Sequence, residues 1–318
     1  MIVRALAALA VLIGLAPAVH AQDWPNRPVR LIVPFAAGGS TDVAARLVAE
    51  YLTRSLGQQV FVENRTGANG NIGIEATAKS PPDGYTILIA PDAITSNPHV
   101  YKVNYDALKD LTPVIQLSRQ PIVLAVHPSL GVSTLAELIA LVKREPGLRY
   151  GTGSGAGSGQ HMVTQWFAQL AGIDLEQVPY RGGGQAINDL IAGHVKLGTL
   201  GSTPLVPHYK AGTLRLLAQT TAARSQSLPD VPTFQEAGIK LVLDQWLGVF
   251  VPAGTPPAIA ARLNAEIGKA LAEAAIKQNL TQSAQEPIGG SAEQFARLVQ
   301  EDFEKYARLV KELNIKVN

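Results

Sequence analysis

Three glycine-rich turns in this chain each run straight into a helical pattern: Pro34-Phe-Ala-Ala-Gly-Gly-Ser-Thr-Asp42, Gly151-Thr-Gly-Ser-Gly-Ala-Gly-Ser-Gly-Gln-His161 and Tyr180-Arg-Gly-Gly-Gly184. The first turn of a helix carries N–H groups without intrahelical partners and the positive end of the helix dipole, and glycine lets a ligand approach that backbone closely. Three such starts brought together would cradle anionic oxygens, and the chemistry they suggest is capture of a carboxylate. The first turn offers Ala37, Gly38, Gly39, Ser40 and Thr41, with Phe35 beside them as a core aromatic or an apolar wall. Ser154, Ser158 and His161 are the polar side chains of the second, and Tyr180, Arg181, Gly182, Gly183 and Gly184 make up the third.

Plainer roles exist for the same residues. Gly38 to Thr41 would serve any α/β protein as a strand-to-helix turn with a hydroxyl cap. Residues 151–159 could be a flexible linker, His161 a local cap, and Arg181 a solvated loop charge instead of a fork-shaped donor to a second carboxylate. Asp42 reads as a helix-start charge that satisfies local amides, since a carboxylate beside a bound anion would repel it. Asp92 either faces the cleft, where it would select for an amino group or hydroxyl on the ligand, or is a surface or capping residue. The second turn is not followed by Gly-Lys-Ser/Thr and lacks the dinucleotide spacing, so a nucleotide is not expected. Ser40, Ser154, Ser158 and Ser202 all lie outside a G-x-S-x-G elbow, which disfavours a secreted serine hydrolase, and the histidines have no metal-ligand spacing. No catalytic residue, metal or cofactor is expected.

The elements that must position these turns follow from apolar runs alternating with helical patterns. Val29 to Val33, Val60 to Val62 and Tyr85 to Ala90 read as strands, with a helix near Val43 to Leu56; a second alternation starts at Ile122 to Val126. Continuous apolar strands separated by helices imply parallel strands covered on both faces. Thr134 with Glu137, and Ser291 with Gln294, have capping-box spacing. Trp246 to Pro252 reads as a further strand, Thr255 and Pro256 suit a helix start, and from there the chain reads as helical. The expected fold is α/β, two doubly wound lobes joined by a two-strand hinge: lobe 1 from residues 22–120 plus 243–318, lobe 2 from 121–242. Such a layout supports closure on a ligand.

Arg4, the apolar run from Ala5 to Leu15 and the small-x-small close at Val19-His-Ala21 form a signal peptide of residues 1–21, so the mature chain is expected in the periplasm. With no cysteine there is no disulfide framework, and 47% hydrophobic residues suffice for two ordinary cores. A formal net charge of +2 without a basic cluster argues against nucleic acid and membrane surfaces as partners.

At Val62-Glu-Asn-Arg-Thr-Gly-Ala-Asn-Gly-Asn-Ile-Gly73 and Ala78-Lys-Ser-Pro-Pro-Asp-Gly-Tyr85 the sequence resembles the Bug family of periplasmic solute-binding proteins. Trp24-Pro-Asn-Arg-Pro28, Pro34 to Asp42, Pro179-Tyr-Arg-Gly-Gly183, Leu228-Pro-Asp-Val-Pro-Thr233 and Phe250-Val-Pro-Ala-Gly-Thr-Pro256 extend the resemblance over essentially the whole mature chain. The resemblance implies a two-lobed Venus-flytrap receptor of the periplasmic-binding-protein type, working as a monomer. It would bind a small organic acid and deliver it to the permease subunits of a tripartite tricarboxylate transporter, or alternatively to a membrane sensor kinase. It also implies that Ala37 to Asp42 and Tyr180 to Gly184 act as pincers on one carboxylate. Asp92 departs from the pattern, which is usually neutral there.

Overall fold

The computed structural model describes residues 24–315; the signal-peptide reading of residues 1–21 falls outside them. Strand β1 (Val29–Val33) pairs in parallel with β2 (Val60–Asn64) and β3 (Thr86–Pro91). β4 (Leu111–Val126) and β9 (Asp244–Pro252) complete the first sheet in the order β2-β1-β3-β9-β4, with β10 (Glu286–Gly289) antiparallel on β4. In the second sheet β5 (Arg149–Thr152) lies between β6 (Glu176–Pro179) and β7 (Leu197–Gly201), all parallel, while β4 runs antiparallel to β7 and to β8 (Arg215–Gln219). One buried cluster around Leu31, Val48 and Val249 and another around Ile32, Leu88 and Phe250 cover the first sheet; Leu124, Tyr150 and Phe167, with Val123, Ala186 and Leu200, cover the second. The result is the expected α/β pair of lobes.

β4 belongs to both sheets. Its first part pairs with β9 as far as Pro121, and from Ile122 onward it pairs with β7 and β8. The sequence predicts only Ile122 to Val126 as a strand, because Pro113 and Pro121 cannot donate to a ladder and look like breaks; the register shifts after Pro113 and Gln116 absorb the irregularity. β9 returns beside β4 antiparallel to it and to β3, so the sheets are mixed and not wholly parallel as expected. β10 also interrupts the stretch read as helical to its end.

The Ser40–Leu56 helix buries Ala44, Ala45, Val48, Ala49, Leu52 and Leu56, a stripe at helical spacing, and stops at Gly57, whose φ of 70° is a left-handed cap. Burying a side chain the size of Leu52 stabilises such a helix by about 1.5–3 kcal/mol. Thr134 caps the Leu135–Arg144 helix, and Ser291 with Gln294 forms a complete capping box on the Ala292–Glu312 helix. That last helix starts on the first sheet, where Phe295 and Val299 pack with Leu88. It ends on the second, where Tyr306 and Leu309 pack with Tyr150.

Candidate functional site

Three helix starts meet at one small cavity. The Ser40–Leu56, Gly159–Ala171 and Gly183–Ile191 helices begin where β1, β5 and β6 end, and Gly39, Ser40, Thr41, Ser158, Gly159, Gln160 and Gly183 line a shared cavity of about 30 Å³. The caps Gly39 and Gly182 have no side chain to bond to their helices; Gln185 N donates to the Gly182 carbonyl at 3.2 Å, and the N–H groups of Ser40, Thr41 and Gly183 are left to whatever the cavity holds. Ser158 accepts from the His161 N–H at 3.3 Å and acts as the cap of the second helix. Dipoles and free amides from three directions make this space suited to an anion.

The loops facing each other across the cleft are in direct contact. Ala36 N donates to the Arg181 carbonyl at 3.1 Å, Gly155 N to Asn69 Oδ1 at 2.8 Å, and Gln285 Nε2 to Thr203 Oγ1 at 2.8 Å. A space of about 30 Å³ has room for about two waters, so an organic acid is admitted as the loops part. Outside Phe35 and Ser154, which border both spaces, lies an open groove of about 980 Å³.

The residues singled out by sequence divide among these places. Phe35, Gly39, Ser40, Thr41, Asp92, Ser154, Ser158 and Gly183 line the cavity. His161, Tyr180 and Arg181 line the outer groove. Burial pushes the His161 imidazole down to about 4, so it is neutral; Nδ1 accepts from Gly157 N at 3.0 Å, which leaves the proton on Nε2. The Tyr180 hydroxyl donates to Asp189 at 2.6 Å and serves its own lobe. Ala37, Gly38, Gly182 and Gly184 make the contact between lobes: a Cβ on Gly182 would stand 2.7 Å from Ala36 Cβ, and one on Gly184 would press into the Ala37 carbonyl and meet Gly38 Cα at 3.4 Å. The Gly38 N–H is already taken by Asp42 at 3.1 Å. Gly153 and Gln160 of the second glycine turn also border the cavity, as do Pro204 and Gln245, which nothing in their sequence context marks.

Two carboxylates there differ in environment. Burial raises the Asp42 carboxyl, but hydrogen bonds from Arg46, Asn64 and the Gly38 amide outweigh it and hold the group below its ordinary range. Asp42 is a local anchor for the turn, as its position suggested. Asp92 is fully buried; it stands at the N-cap of the Ala93–Ser96 helix, but its side chain makes no bond to that helix, and Oδ2 accepts from the Tyr306 hydroxyl. Burial, reinforced by Asp302, pushes its carboxyl up to about 6 against the opposing pull of Tyr306, Lys305 and Gln245.

Residues 44–315 match the sequence profile of the Tripartite tricarboxylate transporter family receptor, TctC. Among curated proteins the chain is 37% identical to Protein BugT of Bordetella pertussis, over 99% of this chain and 98% of that one. Its structure is similar to the R. palustris protein Rpa4515 solved with adipate, at TM-score 0.89 and 37% identity, covering 92% of this chain and 99% of that one. It is also similar to MatC from Rhodopseudomonas palustris with bound malate, at TM-score 0.85 and 30% identity, over 90% and 100% of the two chains. A periplasmic binding protein, BugD, aligns at TM-score 0.88 and 30% identity, over 92% and 99%. With its two lobes, the β4 strand that both sheets share and its meeting of helix starts, the chain belongs to the Bug family of tripartite tricarboxylate transporter receptors.

Proposed function

We propose that this receptor is exported, holds one small organic carboxylate between its lobes without turnover, and delivers it to the permease subunits of a tripartite tricarboxylate transporter. The observation that carries the reading is the convergence of three helix starts, two without side-chain caps, on one cavity. In this reading the carboxylate is held by amides at Gly39 to Thr41 and at Gly183, with Phe35, Ser154 and Ser158 shaping the space. Ala37, Gly38, Gly182 and Gly184 set how closely the lobes approach. His161, Tyr180 and Arg181 stand along the groove through which the distal part of a longer acid would extend. The lobes comprise residues 22–120 with 243–318 and residues 121–242, hinged where β4 and β9 cross, and the receptor works as a monomer. Relatives solved with adipate and malate support a carboxylate as ligand class. Arg4, the apolar run after it and Ala21 support removal of residues 1–21 on export.

The test is calorimetry and thermal unfolding of the mature chain against mono-, di- and tricarboxylates at millimolar concentration. A ligand that binds only the native state raises the melting temperature by mass action. One-to-one binding without consumption of the acid is expected. No shift with any acid, or turnover beyond the protein concentration, would refute the reading.

A further inference from the structure

Asp92 has one oxygen engaged and one without a partner. Oδ2 accepts from Tyr306, while Oδ1 is buried with no hydrogen-bond partner within 3.5 Å among the described residues, the Gln245 amide being near enough only to draw the carboxyl down slightly. Ser154 Oγ is in the same condition, and both residues line the cavity where the three helix starts meet. A buried polar atom left unpaired costs about 1–3 kcal/mol, more if charged, so two of them on residues that line one space mark positions where a bound molecule, admitted as the loops part, supplies partners. The Asp92 carboxyl is also fixed in direction. The Tyr306 hydroxyl pins it from one side, and the backbone of Gly159 lies so close to Oδ2 that a Cβ there would stand 2.7 Å away.

We propose that Asp92 is the specificity-determining residue of the site: Oδ1 accepts a hydrogen bond from a hydroxyl or ammonium group carried near the ligand's carboxylate, so the receptor prefers hydroxy- or amino-substituted acids over their unsubstituted counterparts. This rests on the carboxylate reading above. The amides at the helix starts take the ligand's acceptor oxygens, and a carboxylate at Asp92 repels a second anionic oxygen while accepting from a donor. Its carboxyl, raised to about 6 by burial, is mainly ionised at pH 7.5 and gains most from a cation.

The experiment measures affinities of the mature chain at pH 7.5 for three matched sets: succinate, malate and aspartate; adipate, 2-hydroxyadipate and 2-aminoadipate; phenylacetate, mandelate and phenylglycine. Within a set that binds, the donor-bearing acid is expected to bind at least tenfold tighter than the unsubstituted one. Asp92→Asn removes the negative charge, and with the Tyr306 hydroxyl donating to the amide oxygen the NH₂ takes the Oδ1 place and turns an acceptor into a donor. Preference for the ammonium-bearing acid is then lost at least tenfold, with thermal unfolding confirming a folded variant. Equal binding of unsubstituted and substituted acids by the wild type overturns the proposal alone, as does a preference that survives in Asp92→Asn. Failure of all nine acids to bind overturns the carboxylate reading with it.

Discussion

Replacing Gly182 by alanine should weaken ligand binding while barely touching the stability of the free protein. In the closed arrangement the new Cβ would stand 2.7 Å from Ala36 Cβ and 2.8 Å from Ala36 N, on the opposite side of the cleft. Carbon pairs prefer about 3.5–4.0 Å, so the loops must separate by about 1 Å at this point. That movement also strains the neighbouring bond from Ala36 N to the Arg181 carbonyl. Overpacking of this kind costs about 1–3 kcal/mol, and a central 2 kcal/mol corresponds to roughly thirtyfold weaker binding. With the lobes apart the clash vanishes. The backbone at 182 is extended and open to any residue, and the small loss at a helix cap is offset by a less flexible unfolded chain, each about 0.4–1 kcal/mol. Gly183→Ala is the control: its Cβ makes ordinary contacts, 3.5 Å to Gly39 Cα and 3.6 Å to Pro204 Cγ, and its affinity should stay within about threefold. Calorimetry with the tightest acid from the screen, together with the melting temperatures of the free proteins, reads both quantities. Wild-type affinity in Gly182→Ala would show that binding does not require this contact, and a large fall in the free protein's melting temperature would show that the cost is not confined to closure.

Asp92 makes the native state keep a proton that the unfolded chain releases near the ordinary 3.8, so its contribution to stability falls as the pH rises through about 6, by up to about 3 kcal/mol. Asp302, Lys305, Tyr306 and Gln245 are the groups that surround it, and Asp92→Asn should remove this slope, being more stable than wild type at pH 8 in denaturant titrations and losing that advantage near pH 4. Asp42 has the opposite sign: its depressed carboxyl contributes stability above its unfolded value that is lost as the pH falls. Asp42→Ala should therefore cost about 2–3 kcal/mol at pH 7 and progressively less as the pH falls below 3.8; a cost that does not change with pH would refute the ionic account. Ser158→Ala removes a helix cap and should cost about 1 kcal/mol of unfolding free energy while leaving affinity within tenfold. Small-angle scattering should show compaction when the ligand bridges the lobes, and an unchanged profile at saturation would count against closure.

What the sequence carried locally was legible. Glycines before an amphipathic stripe announce a helix start, and Ser291 with Gln294, or Thr134 with Glu137, announce a cap, because the partners lie within four residues. The pairing of Asp92 with Tyr306 spans 214 residues, and no local pattern encodes it. For the same reason Gln245 passes as an ordinary polar residue, and the tight glycines, 182 and 184, look no different from 183 between them. The continuity of β4 was hidden by prolines that a strand tolerates only through bulges. The Ala292–Glu312 helix declares a buried face by its periodicity, but not that the face changes partner from one core to the other along its length.

That change of partner sets an order of events in synthesis. The second core needs Tyr306 and Leu309, and the first sheet needs β9, so neither half is complete while the polypeptide is still shorter than these segments. For a chain that is to cross a membrane before it folds, as proposed here, late completion keeps the nascent polypeptide threadable. Once finished, the two halves share a helix and a strand, and heat should melt them as a single cooperative unit in one calorimetric transition.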